Sequence, residues 1–267
     1  MKGKVSVAAL CAALMLPWVS AVAQKPPPDK GVKHPAGVNW QGQVLKATGS
    51  GAPDMKAQNP AQARLGAERA AKLDAFRNLL EQAKGLHVSA GRTVGDEMAN
   101  DEIRGRVEGA VKGFTVTNKR YYSDSGVELD VEVPLGLLTD ALLPRDGGGA
   151  RAALKLDGSP THTGLVIDAR GLKVSPSLAP RLLDEAGAPL YGAEVLSDDA
   201  RKLAGVAAWA RSLEEAKKLE RVGGNPLVLR ATRAQGSDLV LGAEDVKKLT
   251  DHNNSYLADG RVVIVAQ

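Results

Sequence analysis

The stretch from Asn59 to Gly85 constrains the fold more than any other part of the 267-residue chain. Asn59 stands where a helix N-cap belongs, Pro60 suits the first helical position, and an alanine-rich run continues to Lys84 before Gly85. Leu65, Leu73, Phe76, Leu80 and Ala83 recur at near-helical spacing and predict the buried stripe. Glu68 with Lys72, and Arg77 with Glu81, predict four-apart ion pairs on the other side. So long a helix with an apolar stripe needs a sheet to lie on.

The flanking residues supply one. Val38 to Thr48 reads as a strand closed by Gly49-Ser50-Gly51-Ala52-Pro53, and Val88 to Val94 as a second short strand. Asp96 and Glu97 then open a helix whose stripe is Ala99, Ile103, Val107, Ala110 and Val111, ending at Gly113. Phe114 to Tyr122 and Val127 to Leu135, joined at Ser123-Asp124-Ser125-Gly126, form a hairpin. Val127, Leu129, Val131 and Val133 point one way, and Glu128, Asp130 and Glu132 the other, opposite Thr117, Lys119 and Tyr121. Beyond a break from Pro144 to Pro160 come a strand at His162 to Gly171 and a hairpin around Glu185-Ala186-Gly187-Ala188. A short helix at Ser212 to Leu219 and a strand at Pro226 to Ala234 follow. Asp238 to Leu241 precedes a helix from Ala243 to Thr250, and Arg261 to Val265 is a closing strand. The expected class is α+β: two small two-layer α/β domains, the first strand-helix-strand-helix-strand-strand with its helices on one sheet face.

The N-terminus predicts export. Met1-Lys2-Gly3-Lys4 is a positive n-region, Val5 to Val19 is an apolar run holding Pro17, and Ala21-Val22-Ala23 is a small-x-small cleavage pattern. Cleavage between Ala23 and Gln24 is expected, because the run is shorter than the ~20 residues of a spanning helix. No transmembrane helix is expected afterwards. Cys11 follows Leu10, where a lipobox wants a small residue, so no lipid anchor is read there. The expected division is 1–23 signal, 24–37 proline-rich tether, 38–143 first domain, 144–160 glycine-rich linker and 161–267 second domain.

Export changes the composition that matters. Without residues 1–23 the chain loses Lys2, Lys4 and its single cysteine, so 33 basic residues face 31 acidic ones and the charge of +4 falls to +2. That excludes thiol nucleophiles, disulfides and cysteine metal sites. Bases and acids are mixed along both domains, which predicts no nucleic-acid partner. The four histidines are scattered in sequence, and Asp198-Asp199 lacks the rest of a calcium loop, so no metal or cofactor is expected. Gly85 to Thr93 has neither the spacing nor the following helix of a phosphate loop, and no Gly-x-Ser-x-Gly or Ser-x-x-Lys occurs. An acid pair such as Asp168 with Glu185 would suit a glycosidase, yet aromatic walls are scarce at 3% aromatic residues. No catalytic residue is assigned. The candidate interaction or structural residues are Trp40, and Asp168 with Arg170, two apart on one side of a strand.

Trp40, the Ala70-Ala71-Lys72-Leu73-Asp74-Ala75-Phe76-Arg77-Asn78-Leu79-Leu80 run, Val111-Lys112-Gly113-Phe114 and the Val127 to Val133 strand resemble the Lpp-twenty family of bacterial envelope lipoproteins. Thr163 to Gly171, Gly224-Asn225-Pro226-Leu227-Val228 and Arg261 to Val265 are similar to a C-terminal extension of such proteins. Relatives include the flagellar assembly proteins FlgP and FlgT. The resemblance implies a non-enzymatic structural or assembly role, outer-membrane or flagellar association, and partners that are copies of itself or envelope proteins. Lacking a lipobox, this chain is expected in the periplasm or secreted, peripheral at the outer membrane at most. The alternative readings are a periplasmic binding module for cell-wall polysaccharide or another ligand, which a concave pocket near Asp168 and Arg170 would favour, and a hydrolase.

Overall fold

The computed structural model describes residues 37–89, 91–143, 154–156 and 158–266. The signal, the Ala23/Gln24 cleavage position and nearly all of the tether lie outside them, as does most of the 144–160 linker.

In chain order, β1 (Gly37–Asn39) and β2 (Val44–Gly51) precede α1 (Pro60–Lys84). Then come β3 (His87–Ser89), β4 (Arg92–Thr93), α2 (Val94–Glu97), α3 (Asp101–Lys112), β5 (Thr115–Tyr121), β6 (Val127–Pro134) and α4 (Leu135–Leu142). The antiparallel sheet they build has the order β1-β2-β6-β5, with β3 and β4 pairing apart from it. The single strand expected at Val38–Thr48 is two, folded back through a turn where Gln43 takes a φ of 54°. The helix expected from Asp96 to Gly113 is also two: Thr93 and Asp96 form a capping box on α2, and Asn100 caps α3 afresh.

The caps of α1 are as expected, the Asn59 side chain accepting from the Gln62 amide with Pro60 in the first turn. Its buried face is as expected only in part, with Ala83 buried and Phe76 and Leu80 half-buried against the core. Ala63, Ala67, Ala71, Ala75, Leu79 and Ala83 point inward, while Leu65 and Leu73 are 59% and 61% exposed. The cause lies in β2. Gly49 and Gly51, expected in a closing turn, are strand residues under the helix. A Cβ on Gly49 would sit 2.3 Å from the Ala71 carbonyl oxygen, and one on Gly51 1.9 Å from that of Ala67. Backbone lies almost on backbone, and only alanine fits between them. Of the two predicted ion pairs, Glu68–Lys72 forms at 3.2 Å, whereas Glu81 pairs with Lys84 at 2.7 Å.

The second sheet holds β7 (Gly164–Asp168), β8 (Leu182–Leu183), β9 (Pro189–Tyr191), β10 (Ala208–Ala210), β11 (Pro226–Gln235), β12 (Asp238–Leu241) and β13 (Val262–Val265). Its helices are α5 (Asp198–Leu203), α6 (Leu213–Lys218) and α7 (Ala243–Asp251). The spatial order is β10-β13-β7-β11-β12-β8-β9, with β10, β13, β7 and β11 parallel. Of these, β10, β13 and β7 are apolar on both sides, whereas β11 exposes Val228 and Arg230 on one. Val166, Val263 and Val265 pack with Ala216 of α6 and Val222, while Leu165, Ile167 and Ile264 join the main core. The class is thus α+β, with mixed helices and sheets.

One apolar core runs from Leu45 to Ile264, and the described residues fall in one compact unit. The closest joint is between α4 and α5, where a Cβ on Gly136 would lie 2.3 Å from the Lys202 carbonyl oxygen. The Trp209 amide also donates to the Trp40 carbonyl at 3.2 Å, tying β10 to the turn after β1.

Candidate functional site

Three places gather polar chemistry. The first is the acidic row of β6. Arg120 donates to both Glu128 and Asp130, with an Nη2 to Asp130 Oδ1 distance of 2.7 Å. Thr48 donates to the same Oδ1 at 3.0 Å, and Tyr122 to Glu128 at 2.9 Å. A bulge between Val116 and Asn118 puts Asn118, Arg120 and Tyr122 beside the acids, in place of the expected Lys119 and Tyr121. Lys119 instead reaches Glu68 of α1 at 2.9 Å, and Tyr121 lies under Arg64. Asp130 is 3% exposed, and the Arg120 guanidinium holds its carboxyl below the usual carboxylate range. Glu132 pairs with Lys46 at 3.6 Å. The row is cross-braced.

The second place is the end of β7. Arg170 holds Asp168 in a two-pronged bond, Nε to Oδ1 at 2.8 Å and Nη2 to Oδ2 at 2.9 Å, which lowers the Asp168 pKa. Beside it opens a cleft of about 630 Å³ lined by Arg170, Arg230, Thr232 and the first residues of α7. Its polar groups are largely spent on one another. Arg170 is held by Asp168, Asp245 by Lys248 and by the Arg230 amide, and Thr232 by the Val240 carbonyl. Glu185 stands in the turn between β8 and β9, where its carbonyl accepts from Arg233.

The third place was only half foreseen. Trp40 and Trp209, the two tryptophans among the described residues, line one cleft of about 660 Å³. Trp40 is half-buried, and Trp209 is 4% exposed with its indole N–H donating to the Ser177 carbonyl at 3.2 Å. Asn39, Gln41 and Arg211 stand exposed around them, with Glu215 half-buried, its carboxylate accepting from the Arg211 amide at 2.9 Å. Residues 170 sequence positions apart converge here; an aromatic on a three-residue strand flanked by alanines was the one signal of Trp209. Asp168 and Arg170 line no part of this cleft.

Two further groupings came from the fold alone. His162 and His252 meet edge to face at 5.6 Å between ring centres. Two imidazoles fall short of a metal site, and no cluster of three or more metal-binding side chains occurs among the described residues. Arg221 is half-buried, and its hydrogen bonds go to main-chain carbonyls. It donates to the Ala204 and Gly205 carbonyls at 2.6 and 2.8 Å, closing the C-terminal end of α5, and burial lowers its pKa. No helix of the described residues is long and apolar enough to cross a membrane.

Comparison with known proteins corrects the Lpp-twenty resemblance. No match to that family, or to FlgP or FlgT, is found. The residues that suggested it are an alanine-rich helix and valine-rich strands, patterns that close helix–sheet packing imposes on unrelated chains. No curated protein matches the chain. What does match is a family model described as Treponema pallidum Tp0624, second domain, over residues 164–267, so the part of the chain beginning at β7 is similar to that domain.

Proposed function

We propose that the chain is an exported, non-enzymatic protein of the bacterial envelope, periplasmic or secreted, that assembles with copies of itself or with other envelope proteins. The supporting observation is on α1: mostly alanines, with Leu79, face its own sheet, and Leu65 and Leu73 face outward. Large apolar side chains held out on a rigid helix while small ones fill the interior are what an assembly surface requires. Tyr121, at the end of edge strand β5, is 49% exposed with its ring under Arg64.

Light scattering and sedimentation of the exported protein over a range of concentration test this reading. Concentration-dependent oligomers, or an envelope protein recovered by crosslinking, are expected. Leu65→Asp with Leu73→Asp should abolish the association while changing stability by no more than about 0.5 kcal/mol, because neither side chain is buried. A strict monomer at high concentration with no crosslinked envelope partner overturns it.

A further inference from the structure

We infer that the Trp40 cleft is a carbohydrate-binding site, an activity beyond the assembly role. The chain is poor in aromatic residues, yet both described tryptophans stand in this one concavity. The half-buried ring of Trp40 offers an apolar face to the C–H face of a sugar, as aromatic rings do for flat apolar surfaces. Around it stand the amide of Gln41 and the guanidinium of Arg211, with Asn39, whose Oδ1 accepts from the Gly42 amide at 2.8 Å, keeping its amide N–H groups. Such planar groups hydrogen-bond paired hydroxyls, and one apolar platform with a few converging polar groups is the usual make-up of a small-molecule cleft. A volume of about 660 Å³ admits more than a single sugar ring.

The backbone that carries the platform is fixed in advance. Trp40 is anchored through its carbonyl, which accepts from the Trp209 amide and from Gln43 Nε2 at 2.7 Å, and Trp209 beneath is pinned by its indole N–H. A ligand therefore meets a surface that loses little freedom on binding. The same bonds disfavour an extended peptide along β10. Strand addition needs free main-chain groups, and the outward amide of Trp209, the central residue of edge strand β10, is already taken by Trp40.

Calorimetric titration of the exported protein with cellotetraose, chitotetraose and a galacturonate tetramer, alongside tryptophan emission, tests the site. At least one sugar should bind saturably and shift the emission. Trp40→Ala, Gln41→Ala and Arg211→Ala should each weaken that sugar ten-fold or more. The last two replace exposed side chains and should leave the unfolding temperature unchanged, so lost binding in them cannot be ascribed to misfolding. The inference is overturned if none of the three sugars binds, if the variants bind as well as the parent, or if a strand-forming threonine-valine peptide binds the cleft and the sugars do not.

Discussion

Asp130 is the residue on which the first sheet's polar face turns. It is an acid with almost no solvent, held by Arg120, Thr48 and Asn118. Arg120→Ala would leave that carboxylate without its cation. A loss of about 2–3 kcal/mol is expected in urea unfolding, somewhat under the cost of breaking a fully buried pair because Arg120 keeps part of its hydration. The acid side follows from the same bonds. Asp130 and Glu128 both have folded pKa values below their ordinary ones, with Arg120 the largest cause. Their contribution is whole above the ordinary carboxylate range and drains away as pH falls through it toward the lowered folded values. Unfolding followed by circular dichroism should show an acid limb that becomes shallower in Asp130→Asn. At this scale the sequence was partly legible. The caps at Asn59 and Pro60, and the alternation that set Glu128, Asp130 and Glu132 on one face, depend on near neighbours alone. Which residues oppose that row depended on a one-residue bulge in β5, and nothing between Phe114 and Tyr122 marks it.

Among elements, α1 carries the main lesson about reading periodicity. Leucine outranks alanine on any hydrophobicity scale, so Leu65 and Leu73 were expected in the buried stripe with Phe76, Leu80 and Ala83, and only the last three lie against the core. The face is chosen instead by how near the backbones come, and glycines at 49 and 51 bring β2 so close that a side chain larger than alanine has no room. The pairing of a Gly-x-Gly strand with alanines four apart was visible and points to this packing once the glycines are read as strand. Gly51→Ala should lower stability by about 3 kcal/mol, shifting the thermal midpoint by roughly 2–4 °C for each kcal/mol. Leu73→Ala, on the outward face, should shift it by no more than about 2 °C, since surface changes stay within ~0.5 kcal/mol. Several short elements escaped the sequence altogether. Strand β10 is three residues long, and α4 and α5 have eight and six, so none spans enough residues to display a period. They nonetheless build the Trp40 cleft and the joint between the two sheets.

At the scale of the molecule, the two sheets are held together by that joint more than by any single long element. Gly136→Val would drive α4 away from the Lys202 carbonyl, and limited proteolysis should then cut between the sheets while each sheet's own strands stay protected. Equal protection of parent and variant would count against so tight a joint. The parallel sheet carries a consequence for how the chain comes to be folded. Strand β13, the last strand in chain order, is inserted between edge strand β10 and β7, where it supplies the only hydrogen-bonded neighbour that β10 has in the sheet. Until residues 262–265 are in hand, β10 has no seat, and with it Trp209 and the floor of the cleft. The C-terminal half therefore cannot complete itself while the chain is still being made, and its sheet closes at that edge in one late step.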